Sequence, residues 1–321
     1  MSYNFPKNTQ FLVTGCAGFI GSNLTEYILS LGYKVKGLDN FLTGKKENME
    51  SFIDNSNFSF INGDIRDKQT CINAVQNIDY VLHQAALGSV PRSIADPYTS
   101  HDVNVNGYLN MLLAARNSHV KRFVYASSSS VYGDHPTLPK VEGVEGKILS
   151  PYALTKHIDE EYGRLFYELY SFPTIGLRYF NVFGKRQDPN SIYAAVIPIF
   201  IKKLLNNEQP TINGDGTYSR DFTYVQNVID ANLKACLSDK ESLGKSYNIA
   251  FGGRVTLNEL YRELNSSLNI WIEPKYGSIR PGDIPHSNAD ITRARKILGY
   301  HPTHSFYDGI KLAIDWYKNN L

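Results

Sequence analysis

The chain of 321 residues contains few cysteines and no long apolar run. Its three cysteines, Cys16, Cys71 and Cys236, are too few and too scattered for a disulfide framework or a tetrahedral metal site, so we expect buried thiols. The eight histidines show no ligand spacing, and no metal is expected. No apolar stretch of about 18 residues could span a bilayer, and the first residues lack the pattern of a signal peptide. We therefore expect no membrane partner and a cytoplasmic location.

Charge of either sign is not in excess. The chain has 33 basic and 31 acidic side chains, a formal net charge of +2, and no basic run that could neutralise many phosphates. This balance argues against a nucleic-acid partner. Apolar residues make up 42% and charged residues 20%, which are ordinary globular values, and the length favours two lobes with a substantial core.

The first half alternates strand-like and helix-like segments. Six short runs rich in β-branched and aromatic residues end in small or turn residues, as buried strands do. They are QFLVTG (10–15), YKVKGLD (33–39), FSFINGD (58–64), DYVLHQAA (79–86), RFVYASSS (122–129) and TIGLRYFNVFG (174–184). Helical periodicity lies between them at about 20–31, 67–77, 103–117 and 151–170. This alternation predicts a Rossmann-like, doubly wound parallel sheet with ligands at the carboxyl ends of its strands.

The second half is less regular. We expect a strand at 246–250 and helices at about 194–206, 226–238, 256–268, 290–298 and 305–319. The pattern predicts a smaller, mixed α/β lobe that shares a cleft with the first.

Three glycines follow the first strand and open the first helix. Gly15, Gly18 and Gly21 form G-x-x-G-x-x-G, where glycine allows a tight turn and a close approach to a pyrophosphate at the helix N-terminus. Close backbone packing is the competing interpretation. Asp39 ends the second strand 24 residues after Gly15, near the spacing of a carboxylate that binds an adenine ribose. An acid there repels a 2′-phosphate, so NAD is favoured over NADP.

Two further strand ends offer weaker signals. Asp64 is placed to reach the adenine, although a helix N-cap at Asp67 competes as an explanation of this neighbourhood. Small side chains at 84–86 would let backbone lie against a flat cofactor, or would simply pack.

A tyrosine and a lysine share one helix face after the fifth strand. Tyr152 and Lys156 are four residues apart, directly after Pro151. A tyrosine phenol is mostly protonated at neutral pH, but a nearby ammonium and a positive nicotinamide both favour the phenolate. A chance surface pair is the alternative. Four hydroxyls, Ser127 to Ser130, end the fifth strand and suggest a polar floor for a sugar hydroxyl.

Several motifs, in order along essentially the whole chain, resemble one family. They are TGCAGFIG (14–21), DN (39–40), SSVYG (129–133), SPYALTK (150–156) and RYFNVFG (178–184). The chain resembles the extended short-chain dehydrogenase/reductases. It is most similar to bacterial UDP-N-acetylglucosamine 4-epimerases, which share QAALGSVPRS (84–93) and YFNVFGKRQDPN (179–190).

The resemblance implies a role for each matching residue. It implies Tyr152 as catalytic base, Lys156 as its cationic partner and nicotinamide-ribose ligand, Ser128 as the hydroxyl that polarises the sugar O4, and Ser130 as a second polar contact. Implied NAD contacts are Gly15, Gly18, Phe19, Ile20, Asp39, Asn40, Asp64, Ile65, Gln84, Ala86 and Asn104. Implied UDP-sugar contacts are Ser89, Asn181, Val196, Asn213, Arg220, Arg280 and Asp283.

The resemblance also implies an organisation and an assembly. Residues 1–181 with 225–250 would form the NAD-binding domain, and residues 182–224 with 251–321 the UDP-sugar-binding domain. Helices at 103–117 and 151–170 form a homodimer bundle in similar proteins, so a homodimer is expected.

The expected reaction follows from the absence of a carboxylate at the end of the fifth predicted strand. Dehydrating and decarboxylating relatives carry a carboxylate where this chain has Ser129 and Ser130, so simple redox chemistry at C4 is favoured. NAD would be a resident cofactor that takes and returns one hydride. Ser287 stands where a bulky aromatic would exclude a 2-acetamido group. We therefore predict interconversion of UDP-GlcNAc and UDP-GalNAc, with UDP-Glc and UDP-Gal as weaker substrates. Alternatives are UDP-uronic acid 4-epimerisation, net nucleotide-sugar oxidoreduction and a non-enzymatic redox sensor.

Overall fold

The computed structural model describes residues 3–188, 195–279 and 284–321. Its strands, in chain order, are β1 (Gln10–Thr14), β2 (Lys34–Asp39), β3 (Phe58–Asn62), β4 (Tyr80–His83), β5 (Arg122–Ser128), β6 (Thr174–Tyr179), β7 (Val182–Phe183), β8 (Thr211–Asn213), β9 (Ser219–Arg220), β10 (Thr223–Tyr224), β11 (Lys245–Ile249), β12 (Val255–Thr256) and β13 (Lys275–Gly277). Its α-helices are α1 (Phe19–Ser30), α2 (Lys68–Ala74), α3 (Val90–Ala95), α4 (Pro97–His101), α5 (Tyr108–Asn117), α6 (Pro151–Tyr170), α7 (Val196–Leu205), α8 (Val225–Leu237), α9 (Leu257–Leu268), α10 (Thr292–Leu298) and α11 (Phe306–Asn320).

Seven strands form one parallel sheet in the order β11-β6-β5-β4-β1-β2-β3. Parallel neighbours need crossover connections, which the helices supply on both faces. The strand order reverses between β1 and β4, and in such sheets ligands bind in the crevice at this reversal. The predicted Rossmann-like fold is confirmed.

The large sheet buries a separate apolar core on each face. Phe11 and Val13 of β1 point into one core, with Leu24 of α1 and Val228 of α8, while Leu12 points into the other. This division follows from the alternation of side chains along a strand. The segment from Ala289 to Tyr300, which includes α10, packs into the first of these cores.

A third core holds the smaller lobe together. It contains Phe183, Ile201 of α7, Leu260 of α9 and Ile310 and Tyr317 of α11. Short strand pairs, β7 with β10, β8 with β13 and β9 with β12, border it. The mixed α/β character predicted for this half is therefore present.

Two short helices were not predicted, and the first part of the helix predicted at 103–117 is π-helical. α3 and α4 have five or six residues each and start with a proline in the first turn, which is too short for a periodic pattern. The segment Asp102–Gly107 is π-helical and runs directly into α5. Such bulges place side chains out of the regular helical register.

The described helices include none with both the length and the apolarity needed to cross a membrane. All three cysteines are buried and free, as expected.

Candidate active site

The glycine turn after β1 leaves no room for side chains. Gly15 has φ +71°, and a Cβ there would lie 2.8 Å from the Ala85 nitrogen in the loop after β4. A Cβ on Gly21 would lie 2.0 Å from the Gly15 oxygen. The turn therefore packs backbone against backbone, beside a cavity of about 300 Å³ at the carboxyl ends of β1 to β4.

Asp39 ties the end of β2 to this turn. Its Oδ2 accepts a hydrogen bond from the Ala17 nitrogen (2.9 Å) and its Oδ1 one from the Phe41 nitrogen (2.8 Å). Burial raises the pKa of the carboxyl group, and these backbone hydrogen bonds oppose that rise. Asp39 thus orders the glycine turn and also lines the cavity.

Asp64 and Asp67 divide two roles. Asp67 caps α2 by accepting from the Gln69 and Thr70 nitrogens, as the competing interpretation held. Asp64 lines the cavity, where Arg66 and Asn40 donate to its carboxylate at 2.7 and 2.8 Å. The hydrogen bond from Arg66 lowers the pKa of Asp64, so this carboxylate stays charged.

Most of the predicted NAD contacts converge on this cavity. Those that line it are Gly15, Gly18, Phe19, Ile20, Asp39, Asn40, Asp64, Ile65, Gln84 and Ala86.

Asn104 lies behind the cavity wall. This buried amide, in the π-helical turn, accepts from the Leu87 nitrogen (2.7 Å) and donates to the Leu87 oxygen (3.2 Å) and to Thr155 Oγ1 (3.1 Å). The structure thus uses it to position the wall and α6.

α6 begins at the residue predicted from the sequence. Ser150 caps it by accepting from the Ala153 nitrogen, and Pro151 fits the first turn because it needs no hydrogen-bond acceptor there. The Tyr152 nitrogen donates to the buried Ser93 Oγ at 3.0 Å. The cap and this hydrogen bond fix the start of α6, where the side chain of Tyr152 is half-buried.

Lys156 is buried and has two hydrogen-bond acceptors. Its Nζ lies 3.0 Å from the Ala126 oxygen and 3.1 Å from Asp159 Oδ2. The contact with Ala126 brings the face of α6 that carries Tyr152 against the strand that ends at Ser128. Sequence reasoning missed Asp159, although its position three residues after the lysine was the available signal.

The four serines at the end of β5, Ser127 to Ser130, do not form one surface. Ser128 Oγ accepts from both the nitrogen (3.2 Å) and the Oγ (3.0 Å) of Ser130, so its own proton is left to donate elsewhere. Ser127 points to the opposite face and donates to Glu160, which is paired with Arg178. Strand alternation explains this division, so Ser127 does not belong to the polar floor that was expected.

A second cavity, of about 290 Å³, lies in the smaller lobe. Four of the predicted UDP-sugar contacts line it: Asn181, Val196, Asn213 and Arg220. Phe200 and Phe222 add apolar surface. Arg220 Nη1 donates to the oxygens of Ser219 and Pro285, and these two hydrogen bonds orient the guanidinium group at the cavity.

The remaining predicted contacts are dispersed. Ser89 has φ 103° and caps α3, where its Oγ accepts from the Arg92 nitrogen. The half-buried Ser287 is held beside β9 because its nitrogen donates to the Ser219 oxygen at 3.0 Å. Arg280 and Asp283 lie outside the described residues.

Comparisons with known proteins agree with this geometry. The sequence model of the NAD dependent epimerase/dehydratase family matches residues 11–250. The chain belongs to that family. A putative UDP-glucose 4-epimerase of Methanocaldococcus jannaschii is 40% identical, covering 96% of this chain and 98% of that protein.

Solved structures of other epimerases are also similar. The UDP-N-acetylglucosamine 4-epimerase from Methanobrevibacter ruminantium M1, in complex with UDP-N-acetylmuramic acid, has a TM-score of 0.93 and 38% identity, covering 98% of this chain and all of that one. The UDP-glucuronic acid 4-epimerase from Bacillus cereus, in complex with UDP-glucuronic acid and NAD, has a TM-score of 0.89 and 32% identity, with the same coverage. The predicted family is confirmed, and the proteins similar to this chain include nucleotide-sugar 4-epimerases.

The first cavity fits the cofactor NAD. The glycine turn excludes any Cβ at Gly15 and Gly21, so backbone can approach a pyrophosphate closely at the start of α1. Asp39 offers a carboxylate at the end of β2, where a ribose is expected.

Proposed function

We propose that this protein interconverts UDP-GlcNAc and UDP-GalNAc, with Tyr152, Lys156 and Ser128 as its catalytic residues. One observation supports this best. The hydrogen bond from Lys156 Nζ to the Ala126 oxygen joins the Tyr152 face of α6 to the strand that ends at Ser128. A base, a cation and a hydroxyl donor are then close to one edge of the sheet, beside the NAD cavity.

The residues divide the proton chemistry. Tyr152, as phenolate, accepts the proton of the sugar O4, and the ammonium of Lys156 favours the phenolate. Ser128 donates to O4, since its lone pairs are used by Ser130. NAD held in the first cavity would supply a reversible hydride acceptor for C4. Tyr152 would hold the O4 proton and return it to the sugar, so that no net oxidation results.

The second cavity is the proposed site of the UDP group. Arg220 can meet the diphosphate with two parallel hydrogen bonds, and Asn181 and Asn213 offer amides to the uridine. Val196 contributes apolar surface.

Four further contacts complete the proposed substrate site. Ser89 and Ser130 would contact the sugar, and Arg280 and Asp283, outside the described residues, would contact the nucleotide.

Ser287 is the proposed determinant of sugar size. Its small side chain leaves space for a 2-acetamido group, and the similarity to a UDP-N-acetylglucosamine 4-epimerase supports this choice. A UDP-uronic acid substrate is the second candidate, because similar proteins include UDP-glucuronate 4-epimerases. Parallel incubations with UDP-GlcNAc, UDP-Glc and UDP-glucuronic acid, each followed by NMR, decide between them.

Replacing Tyr152 tests the catalytic assignment. Tyr152→Phe removes only the hydroxyl. We expect kcat for formation of the 4-epimer, measured without added cofactor, to fall at least ~100-fold. Tyr170→Phe is the matched control, because this tyrosine lies on the same helix and is 53% exposed. An active Tyr152→Phe variant would refute the assignment. Accumulation of reduced nicotinamide that depends on added NAD would indicate a net oxidoreductase.

The two-domain division and a homodimer are part of the same proposal. The separate apolar core of the smaller lobe supports the division, although 289–300 packs with the large sheet. Exposed apolar side chains on α6, Leu154, Leu165 and Leu169, support pairing with a second copy.

A further inference from the structure

Lys156 and Asp159 form a buried ion pair on α6. Their side chains are 4% and 0% exposed, and Lys156 Nζ lies 3.1 Å from Asp159 Oδ2. Within the described residues, the other carboxylate oxygen, Oδ1, has no hydrogen-bond partner. The carboxylate therefore faces the ammonium and little else that could satisfy its charge.

The pair lies in line with the proposed base. Tyr152, Lys156 and Asp159 are spaced by four and three residues, which brings all three to one helix face with the ammonium in the middle. In the proposed mechanism the ammonium would therefore act on the phenol of Tyr152 on one side and on the carboxylate of Asp159 on the other. The carboxylate offsets part of the positive charge of Lys156, and that part no longer stabilises the phenolate of Tyr152.

The surroundings of the pair are polar but poorly solvated. Burial raises the pKa of Asp159, while the ammonium of Lys156 opposes this rise. The titratable and charged groups that act on the pair, by element, are Glu160 on α6, Tyr108 on α5, Tyr125 on β5, His83 on β4 and, through Glu160, Arg178 on β6. His83 stays neutral because burial, helped by Lys156, lowers its pKa to about 3.

We propose that Asp159 is a positioning residue that anchors the Lys156 ammonium and limits the positive charge it presents to Tyr152 and to the nicotinamide. The inference rests on the proposed roles of Tyr152 and Lys156. With the carboxylate present, the phenolate is less favoured than beside a free ammonium. The oxidised, positively charged nicotinamide is correspondingly better tolerated.

Asp159→Asn tests this by removing the charge and keeping a hydrogen-bond acceptor. We expect the acid-side midpoint of the kcat–pH profile to move about one unit lower, because the ammonium then acts unopposed on the phenol. Glu161→Gln is the matched control. It removes a carboxylate two residues away, where Glu161 is 48% exposed and pairs with Arg164, and its profile should match wild type.

A second readout needs no turnover. Competition between NADH and NAD+ for the protein, followed by the fluorescence of bound NADH, should shift several-fold toward NADH in Asp159→Asn. A purely structural role would change thermal stability and leave this ratio and the pH midpoint unchanged.

The outcomes separate this inference from the proposed function. Asp159→Ser, also neutral but smaller, provides the same test if the Asn variant does not fold. Unchanged midpoints in the neutral variants, or an equal shift in Glu161→Gln, would overturn the role of Asp159 while leaving that of Tyr152 intact. An active Tyr152→Phe variant would instead refute the base itself.

Discussion

Gly15 combines two constraints in a single residue. Its backbone is left-handed, at φ +71°, and its Cα lies against the Ala85 backbone. Conformational strain alone would cost an alanine about 1–2 kcal/mol. A Cβ at this position would also collide with the Ala85 backbone and so displace the wall of the NAD cavity. The position therefore matters for cofactor binding as well as for stability.

Gly15→Ala should separate these effects when it is compared with Gly32→Ala. Gly32 also has positive φ, +84°, but a Cβ at this position would have no neighbouring atom within 4 Å. We expect Gly32→Ala to lose about 1–2 kcal/mol of unfolding free energy, and Gly15→Ala to lose more than that and also to lose bound NAD. Denaturant titration and the NAD released on denaturation measure the two effects. Full NAD retention by Gly15→Ala would contradict the close-approach argument.

Residues that line the NAD cavity were easier to predict from the sequence than residues that position the cavity wall or α6. Gly15 and Asp39 stand at fixed distances from a strand end, and ten predicted NAD contacts do line one cavity. Asn104 was expected to contact NAD but hydrogen-bonds Leu87 and Thr155 behind the cavity wall, and Asp159 was marked only by its position three residues after Lys156. Ser127 was grouped with its neighbours because adjacent hydroxyls look alike in a sequence, whereas a strand sends them to opposite faces.

α6 is fastened to the sheet by a buried ion pair. Arg178 of β6 makes two hydrogen bonds to Glu160, at 2.8 and 2.7 Å, and also contacts Glu145. Both side chains of the Arg178–Glu160 pair are 7% exposed. Removing Glu160 would leave the buried Arg178 with only the partly exposed Glu145 as a charge partner, and losing one member of a buried pair is more harmful than never having had the pair.

Glu160→Gln should therefore lower the unfolding free energy by about 3 kcal/mol. Glu161 is the next residue but lies on the exposed face of α6, and Glu161→Gln should change the unfolding free energy by less than about 1 kcal/mol. Urea unfolding at neutral pH, followed by circular dichroism, measures both. Equal effects of the two substitutions would show that burial of the pair is unimportant.

Long elements were predictable and short ones were not. α6 was predicted at 151–170 and observed there, because Ser150 and Pro151 mark its start and twenty residues carry a clear period. Strands such as β9 and β10 have two residues each and carry no period. Their existence depends on partners distant in sequence, such as β12 and β7.

Glu26 links α1 to the segment that leads from the large sheet into the smaller lobe. Its carboxylate accepts from Arg186 at 2.8 Å, from Ser51 Oγ at 2.6 Å and from Lys185. Burial acts to raise the pKa of Glu26, but the hydrogen bonds from Arg186, Lys185 and Ser51 lower it to about 2. The folded pKa thus lies below the unfolded value of 4.5.

The stability that Glu26 contributes should depend on pH with a definite sign. Because the folded pKa is depressed, the contribution is complete above about pH 4.5 and is lost as the pH falls toward 2. Glu26→Gln should lower the unfolding free energy by about 1–2 kcal/mol at pH 7, after allowance for partial exposure, and by less at pH 4. Urea titrations of both proteins at each pH test this, with the exposed Glu50→Gln as control. A difference that grows on acidification would contradict the assignment.

Asn104 gives the molecule a mechanical linkage. Its carboxamide hydrogen-bonds the backbone N–H and C=O of Leu87 and the hydroxyl of Thr155, the residue just before Lys156. We expect a shift of the Leu87 backbone on NAD binding to be transmitted through this amide to α6, which carries Tyr152 and Lys156. Cofactor binding and the alignment of these two side chains would then be coupled.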